Sequence, residues 1–173
     1  LVNGIKINTE KKLLEDFPKS AGFDYTKDQK RSIKEIFADL SSGRVMDRLL
    51  SGDVGFGKTE VAMNAMLAVV LDGFQALFIC PTTLLASQHF HGIQKRFSEF
   101  GIKVAKLDGK TSAKEKTSIK KALENGDIQI VIGTHSLLSV KTKDLALVII
   151  DEEHKFGVKQ KEKLKQLRED VHI

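Results

Sequence analysis

Cysteine occurs once, at Cys80, so no internal disulfide can form. With five histidines scattered along the chain, that lone thiol suggests no structural zinc set. Long hydrophobic runs are missing too. Stretches such as Leu145–Ile150 are far too short for a bilayer core of about 30 Å. No basic, apolar, small-residue signal segment opens the chain, and its start at Leu1 instead of Met reads as an excised piece. There is no internal repeat, low-complexity tract or interior linker. These absences lead to the expectation of one reduced, cytoplasmic, non-membrane domain of 173 residues.

What is present suffices for a core: 41% of residues are hydrophobic and 29% are charged. The formal net charge is +5, with most of the surplus beyond residue 100. That excess permits a polyanionic partner without requiring one.

Residues 1–20 read as a polar lead-in with little periodicity. From Thr26 to Leu40, Ile33, Ile36, Phe37 and Leu40 fall at helical spacing, and Ser41-Ser42-Gly43 stops the helix. Met46–Leu50 is a strand candidate. Lys58–Leu71 is apolar on nearly every side, which predicts a buried helix. Strands are expected at Ala76–Cys80, Ile102–Leu107, Ile128–Ile132 and Leu145–Ile150. Helices are expected at Leu84–Phe97, after the capping box Ser112-x-x-Glu115, and from Val158 to Arg168; Asn125-Gly126 ends the second of these. Val171–Ile173 reads as the start of another strand. Continuous apolar strands alternating with helices predict an α/β fold: a parallel sheet with helices on both faces.

Gly52-Asp53-Val54-Gly55-Phe56-Gly57-Lys58-Thr59 fits G-x-x-x-x-G-K-[ST] between a strand and a helix. Glycines let successive backbone N–H groups turn toward phosphate oxygens, and the helix start adds its positive dipole end. Lys58 would reach the β- and γ-phosphates, and the Thr59 hydroxyl would ligate Mg²⁺. Val148-Ile149-Ile150-Asp151-Glu152-Glu153-His154 places acids at the tip of a buried strand, where open α/β sheets bind ligands. Asp151 would hold Mg²⁺ through its water shell, and Glu152 would take the proton of the water attacking the γ-phosphate. Such acids alone are as often a solvated loop; the phosphate loop tips the balance. No separate metal site is expected, since His154 is the only imidazole at hand in sequence.

The phosphate loop does not choose among GTPases, small kinases, transporters and nucleic-acid motors. No Asn-Lys-x-Asp guanine reader occurs; Thr142-Lys143-Asp144 lacks the Asn. Asp151-Glu152-Glu153-His154 resembles the DExH box of superfamily 2 helicases and translocases. Pro81-Thr82-Thr83-Leu84-Leu85-Ala86-Ser87-Gln88-His89 resembles their motif Ia, and Ile132-Gly133-Thr134-His135 resembles motif Ib. Thr26-x-x-Gln29, with Phe23 ahead of it, resembles the adenine-recognition element.

Met46–Ala62, Pro81–His89 and Asp151–Gln160 are similar, more narrowly, to the transcription-repair coupling factors. The RecG-type branch-migration helicases share much of this but tend to differ at Phe56, in motif Ia and at Glu153. The resemblance covers about residues 23–173. It implies a RecA-like phosphate-loop domain, the first of two in an ATP- and Mg²⁺-dependent translocase on double-stranded DNA. That motor would act on stalled RNA polymerase and recruit an excision-repair protein through domains outside this chain. A RecG-like motor is the alternative.

The resemblance implies that Phe23 stacks on adenine and that Gln29 reads it. Thr82, Thr83, Gly133 and Thr134 would grip DNA phosphates without reading sequence. As bare residues these are helix caps and turn formers, Thr83 among them. His135 suits a DNA hydrogen bond and a turn cap equally. His154 would couple the ATP site to the motor, or is a satisfied buried histidine. His89 and His91, two apart on a helix, diverge and are no ligand pair. The lysines of 155–168 read as a solvated face, and Cys80 as core packing. A second motor domain would supply an arginine finger, so this chain alone is expected to hydrolyse ATP barely above background.

Overall fold

The computed structural model describes residues 6–42, 56–152 and 157–167. Helices α1 (Lys12–Asp16), α2 (Lys27–Ser42), α3 (Phe56–Leu71), α4 (Thr83–Ser98), α5 (Ala113–Asn125) and α6 (Val158–Leu167) alternate with strands β1 (Gln75–Ile79), β2 (Val104–Leu107), β3 (Ile130–Gly133) and β4 (Leu145–Ile150). Short 3-10 helices occupy Phe17–Ala21 and His135–Ser139. The expected strands at Met46–Leu50 and from Val171 lie outside the described residues.

The strands form one sheet in the order β2-β3-β1-β4, and each neighbouring pair is parallel. Successive residues of β1 point to opposite faces, as the period of two requires. Ala76 and Phe78 join a core beneath α2, α3 and α4; Leu77 and Ile79 join a second beneath α5 and the His135–Ser139 turn. β4 follows the same rule with one interruption. Gln75 pairs with Leu145 but Ala76 with Leu147, so Ala146 is an inserted bulge residue. Ala146 and Leu147 consequently face the same core. The predicted two-sided parallel sheet is the observed one.

The middle of α3 needs no polar face because no side of it meets water: Met66, Leu67, Ala68 and Val69 are 0% exposed. Burying Met66, Leu67 or Val69 contributes about 1.5–3 kcal/mol each. At the base of the sheet the buried Gln75 makes four hydrogen bonds. Its Nε2 donates to the carbonyls of Leu123 (2.9 Å) and Ile128 (2.8 Å), and its Oε1 accepts from the N–H groups of Lys143 and Asp144. A buried amide is tolerable only when satisfied in this way.

α5 begins and ends as its sequence signals. Ser112 Oγ accepts from the Glu115 N–H. Gly126 adopts φ 83°, and Asp127 donates back to Ala122, closing the helix in a Schellman arrangement. α4 is capped by Thr82, whose hydroxyl accepts from the Leu85 N–H at 3.2 Å; Thr83 is the first helical residue and not the cap.

The lead-in differs from its polar reading. Ile7, Leu14 and Phe17 are at most 4% exposed and belong to the core. Phe17 stacks on Phe97 with ring centroids 5.6 Å apart. A five-residue helix passing into a 3-10 turn carries Leu14 and Phe17 inward, while Ile7 lies ahead of it in irregular chain, its N–H donating to the Leu40 carbonyl; no single period of 3.6 or 2 links the three.

Candidate active site

The carboxyl ends of β1, β3 and β4 lie side by side, so the residues following each strand share one edge of the sheet. Ile79 is level with Gly133 on one side and Ile150 on the other. The Cys80 N–H donates to the Gly133 carbonyl (2.8 Å) and the Asp151 N–H to the Ile79 carbonyl (2.9 Å). Cys80, Thr134 and Asp151 therefore form a row, with Thr82 and His135 just beyond.

Asp151 is 2% exposed. Its Oδ2 lies 3.3 Å from His89 Nε2, while its Oδ1 is buried with no hydrogen-bond partner among the described residues. A buried carboxylate oxygen without a donor is costly unless a cation faces it, so this residue suits a Mg²⁺ ligand. Glu152 follows with φ 54°, the left-handed region that a residue with a side chain rarely enters. Residues held in such sparsely populated conformations cluster at functional sites.

His89 was not anticipated in this role. α4 turns its ring toward the sheet, against Phe78 at 5.1 Å between centroids, while His91 is exposed. The two histidines do diverge, as their spacing implies, but among the described residues it is His89 whose imidazole lies beside Asp151. Burial, followed by the negative charges of Asp151 and Glu152, pushes the Cys80 thiol far up, so Cys80 stays protonated.

On the other side of α3, Gln29 reaches the end of the phosphate loop. Its Nε2 donates to the Gly57 carbonyl at 3.1 Å and its Oε1 accepts from the Thr26 N–H at 2.8 Å. Thr26 Oγ1 in turn accepts from the Gln29 N–H. One amide hydrogen and one carbonyl lone pair of Gln29 remain for a donor–acceptor edge such as adenine's. Phe23 is 36% exposed at a groove of about 830 Å³, and its ring lies 5.8 Å from that of Tyr25. Lys58 and Thr59 are half-buried on the first turn of α3.

A buried network that the sequence reading missed anchors this adenine-side segment. Tyr25 Oη donates to Glu60 Oε2 at 2.5 Å, and Asn64 Nδ2 donates to Tyr25 Oη at 3.1 Å. The Arg96 guanidinium bonds Glu60 Oε1, the Phe17 carbonyl and Ser20 Oγ, and lies over the Phe17 ring at 4.3 Å. Burial first, then the Glu60 carboxylate, pushes the Tyr25 phenol up to about 12. The available signal was Glu60 with Asn64 one turn on, two polar residues on a stretch that is otherwise apolar from Val61 to Leu71 and so must find partners.

Of the motif Ia and Ib residues, Thr82 and His135 are exposed, Thr83 is half-buried, and Thr134 is 7% exposed. Gly133 is buried, and a Cβ there would lie 2.0 Å from the Leu107 carbonyl oxygen. Close strand packing thus demands glycine whatever else this residue does. Gly52, Asp53, Val54, Gly55, Glu153 and His154 lie outside the described residues, as does the side chain of Phe56. The described part of α6 exposes Lys159, Lys161 and Lys163, in keeping with a solvated face.

A parallel sheet with acids at the tip of one strand, together with a phosphate-loop pattern running into a buried helix, defines a RecA-like nucleotide-binding domain. Residues 26–172 match the DEAD/DEAH box helicase family, and the chain belongs to it. It is 56% identical over all 173 residues to the transcription-repair-coupling factor of Helicobacter pylori strain J99, covering 17% of that protein. It is 51% identical over 163 residues, 93% of its length, to the ATP-dependent DNA helicase RecG of Thermotoga maritima, covering 21% of that protein. A solved structure of RecG bound to a three-way DNA junction superposes with a TM-score of 0.82 at 49% identity, covering 89% of this chain and 21% of that one. The chain thus spans about a fifth or less of these relatives. Among the described residues, no helix is long and apolar enough to cross a membrane.

Proposed function

We propose that this chain is the ATP-binding half of a double-stranded DNA translocase of the transcription-repair coupling type. The observation that carries the reading is the 56% identity to such a factor across the whole chain. Residues 21–173 are the first RecA-like domain, with residues 1–20 as its lead-in, in a cytoplasmic protein.

In this reading Gln29 and Phe23 hold adenine, the 52–59 loop and Lys58 hold the phosphates, and Thr59 and Asp151 hold Mg²⁺. The ion, when bound, neutralises charge on the β- and γ-phosphates. Glu152 accepts the proton of the attacking water. Thr82, Thr83, Gly133, Thr134 and His135 face the DNA backbone, so binding is sequence-independent and falls steeply with salt. His154 couples hydrolysis to movement. RNA polymerase and an excision-repair protein engage other parts of the parent protein.

The test uses the parent protein. Lys58→Ala abolishes ATP turnover, while Glu152→Gln keeps nucleotide bound but stops hydrolysis, since an amide can hold a water without taking its proton. Equal turnover in the Lys58 variant and wild type would reject the site. The 173 residues by themselves release phosphate at close to background, because a second domain's arginine finger is worth about 10³–10⁵ in rate. The likeness to RecG favours branch migration as the second reading. Displacement of stalled polymerase without unwinding of three-way junctions decides for the first; the reverse decides for the second.

A further inference from the structure

Three side chains that no phosphate-loop chemistry requires to be together meet at the sheet edge. Cys80 closes β1, His89 comes from the middle of α4, and Asp151 follows β4. One ligand atom from each, sulfur, imidazole nitrogen and carboxylate oxygen, lies within 4.8 Å of the other two. In a tetrahedral zinc site with bonds of about 2.0–2.3 Å, ligand atoms stand about 3.3–3.8 Å apart. The His89–Asp151 pair is already at 3.3 Å. Drawing the three around one ion therefore requires the sulfur to close on its neighbours by about 1 Å at most.

We propose that Cys80, His89 and Asp151 form a binding site for a thiophilic divalent cation of the zinc type, with water as the fourth ligand. Two observations point there, the first to the type of ion and the second to a cation at Asp151. The donor set is one sulfur, one nitrogen and one oxygen, which suits zinc and is foreign to Mg²⁺, a taker of oxygen ligands. Asp151 Oδ1 is also buried and without a hydrogen-bond partner among the described residues. The cluster opens to solvent along His89, whose side chain is 15% exposed, while Cys80 is 0% exposed. Binding releases the thiol proton to solvent, as metal capture by cysteine always does. The site shares Asp151 with the Mg²⁺ of the reading above, so zinc and Mg·ATP exclude one another there. Metal capture itself does not rest on that reading, because Cys80 and His89 have no part in it.

The experiment titrates the 173-residue chain with Co²⁺ under reducing conditions. Expected are the visible bands of four-coordinate cobalt and a thiolate-to-cobalt charge-transfer band, saturating at one equivalent and bleached by Zn²⁺. Cys80→Val, which keeps the core filled, and Cys80→Ala both remove the charge-transfer band, and His89→Asn weakens binding at least tenfold. Circular dichroism checks that each variant is folded. No charge-transfer band in wild type, or a band unchanged in both Cys80 variants, overturns the proposal. Either result leaves the nucleotide reading standing, since that depends on Lys58 and Glu152.

Discussion

Gln29 and Gly57 touch across the gap between α2 and α3: the side-chain amide of Gln29 donates to the Gly57 carbonyl at 3.1 Å. A Cβ at residue 57 would sit 3.0 Å from that same Nε2. The glycine preceding Lys58 is thus both part of the phosphate-loop pattern and the seat of the residue proposed to read adenine. The end of the loop and this amide are thus held to each other, which lowers the ordering cost of any ligand that uses both.

Gln29→Ala removes both the reader and its tether. It should weaken ATP binding about tenfold, near 1.4 kcal/mol, and abolish any preference for ATP over GTP. Competition binding of the two nucleotides to this chain measures it. A variant that still prefers ATP shows that Gln29 does not read the base.

Arg96→Met leaves the Glu60 carboxylate buried without its cation. Removing one partner of a buried ion pair costs about 3–5 kcal/mol. Urea unfolding should show a loss of that size. A loss below about 1 kcal/mol, the scale of a surface pair, would mean that Glu60 is solvated and the network carries little.

The raised Tyr25 phenol makes stability depend on alkaline pH. The phenol ionises at 10.0 when unfolded and at about 12 when folded. Between those values the folded state holds the extra proton, so the phenol's contribution is whole below pH 10 and is lost as pH rises to 12. Two pH units correspond to at most about 2.7 kcal/mol. Tyr25→Phe should flatten this part of the stability profile, while the lysine contribution stays in both proteins. Parallel profiles would show that the phenol is not held by Glu60.

Gly133→Ala drives a methyl into the Leu107 carbonyl oxygen and the Leu137 side chain, which would lie 2.0 and 2.9 Å away. Strand β3 would have to move off β2, at a cost of about 3 kcal/mol or more. Thermal unfolding should reveal this in the absence of DNA. Undiminished stability with weakened DNA binding would show that Gly133 is kept glycine for the nucleic acid alone.

Much of this architecture is legible along the chain because it is local. α5 starts at Ser112 and stops at Gly126 because a hydroxyl three residues from an N–H and a glycine at positive φ act within one turn. β4 spans the expected Leu145–Ile150 because a six-residue apolar run buried on both faces admits little else. The Gly52–Thr59 pattern, Gln29, Asp151 and Glu152 likewise stand out by residue type and order alone, and their proposed roles rest on that. The lead-in was opaque because Ile7, Leu14 and Phe17 turn inward from irregular chain, a short helix and a 3-10 turn that share no period.

By itself, then, the sequence determined the alternation of parallel strands and helices, the phosphate-loop pattern and the strand-tip acids, since spacing, caps and apolar runs act over a few residues. Only the tertiary structure decided which groups meet across long stretches of chain. It turned His89 onto Asp151 across 62 positions, and it joined Tyr25, Glu60 and Arg96 from three separate segments. It also pressed Gly133 against Leu107. The order of strands in the sheet and the seating of helices on its faces set those distances, and no local pattern of residues encodes them.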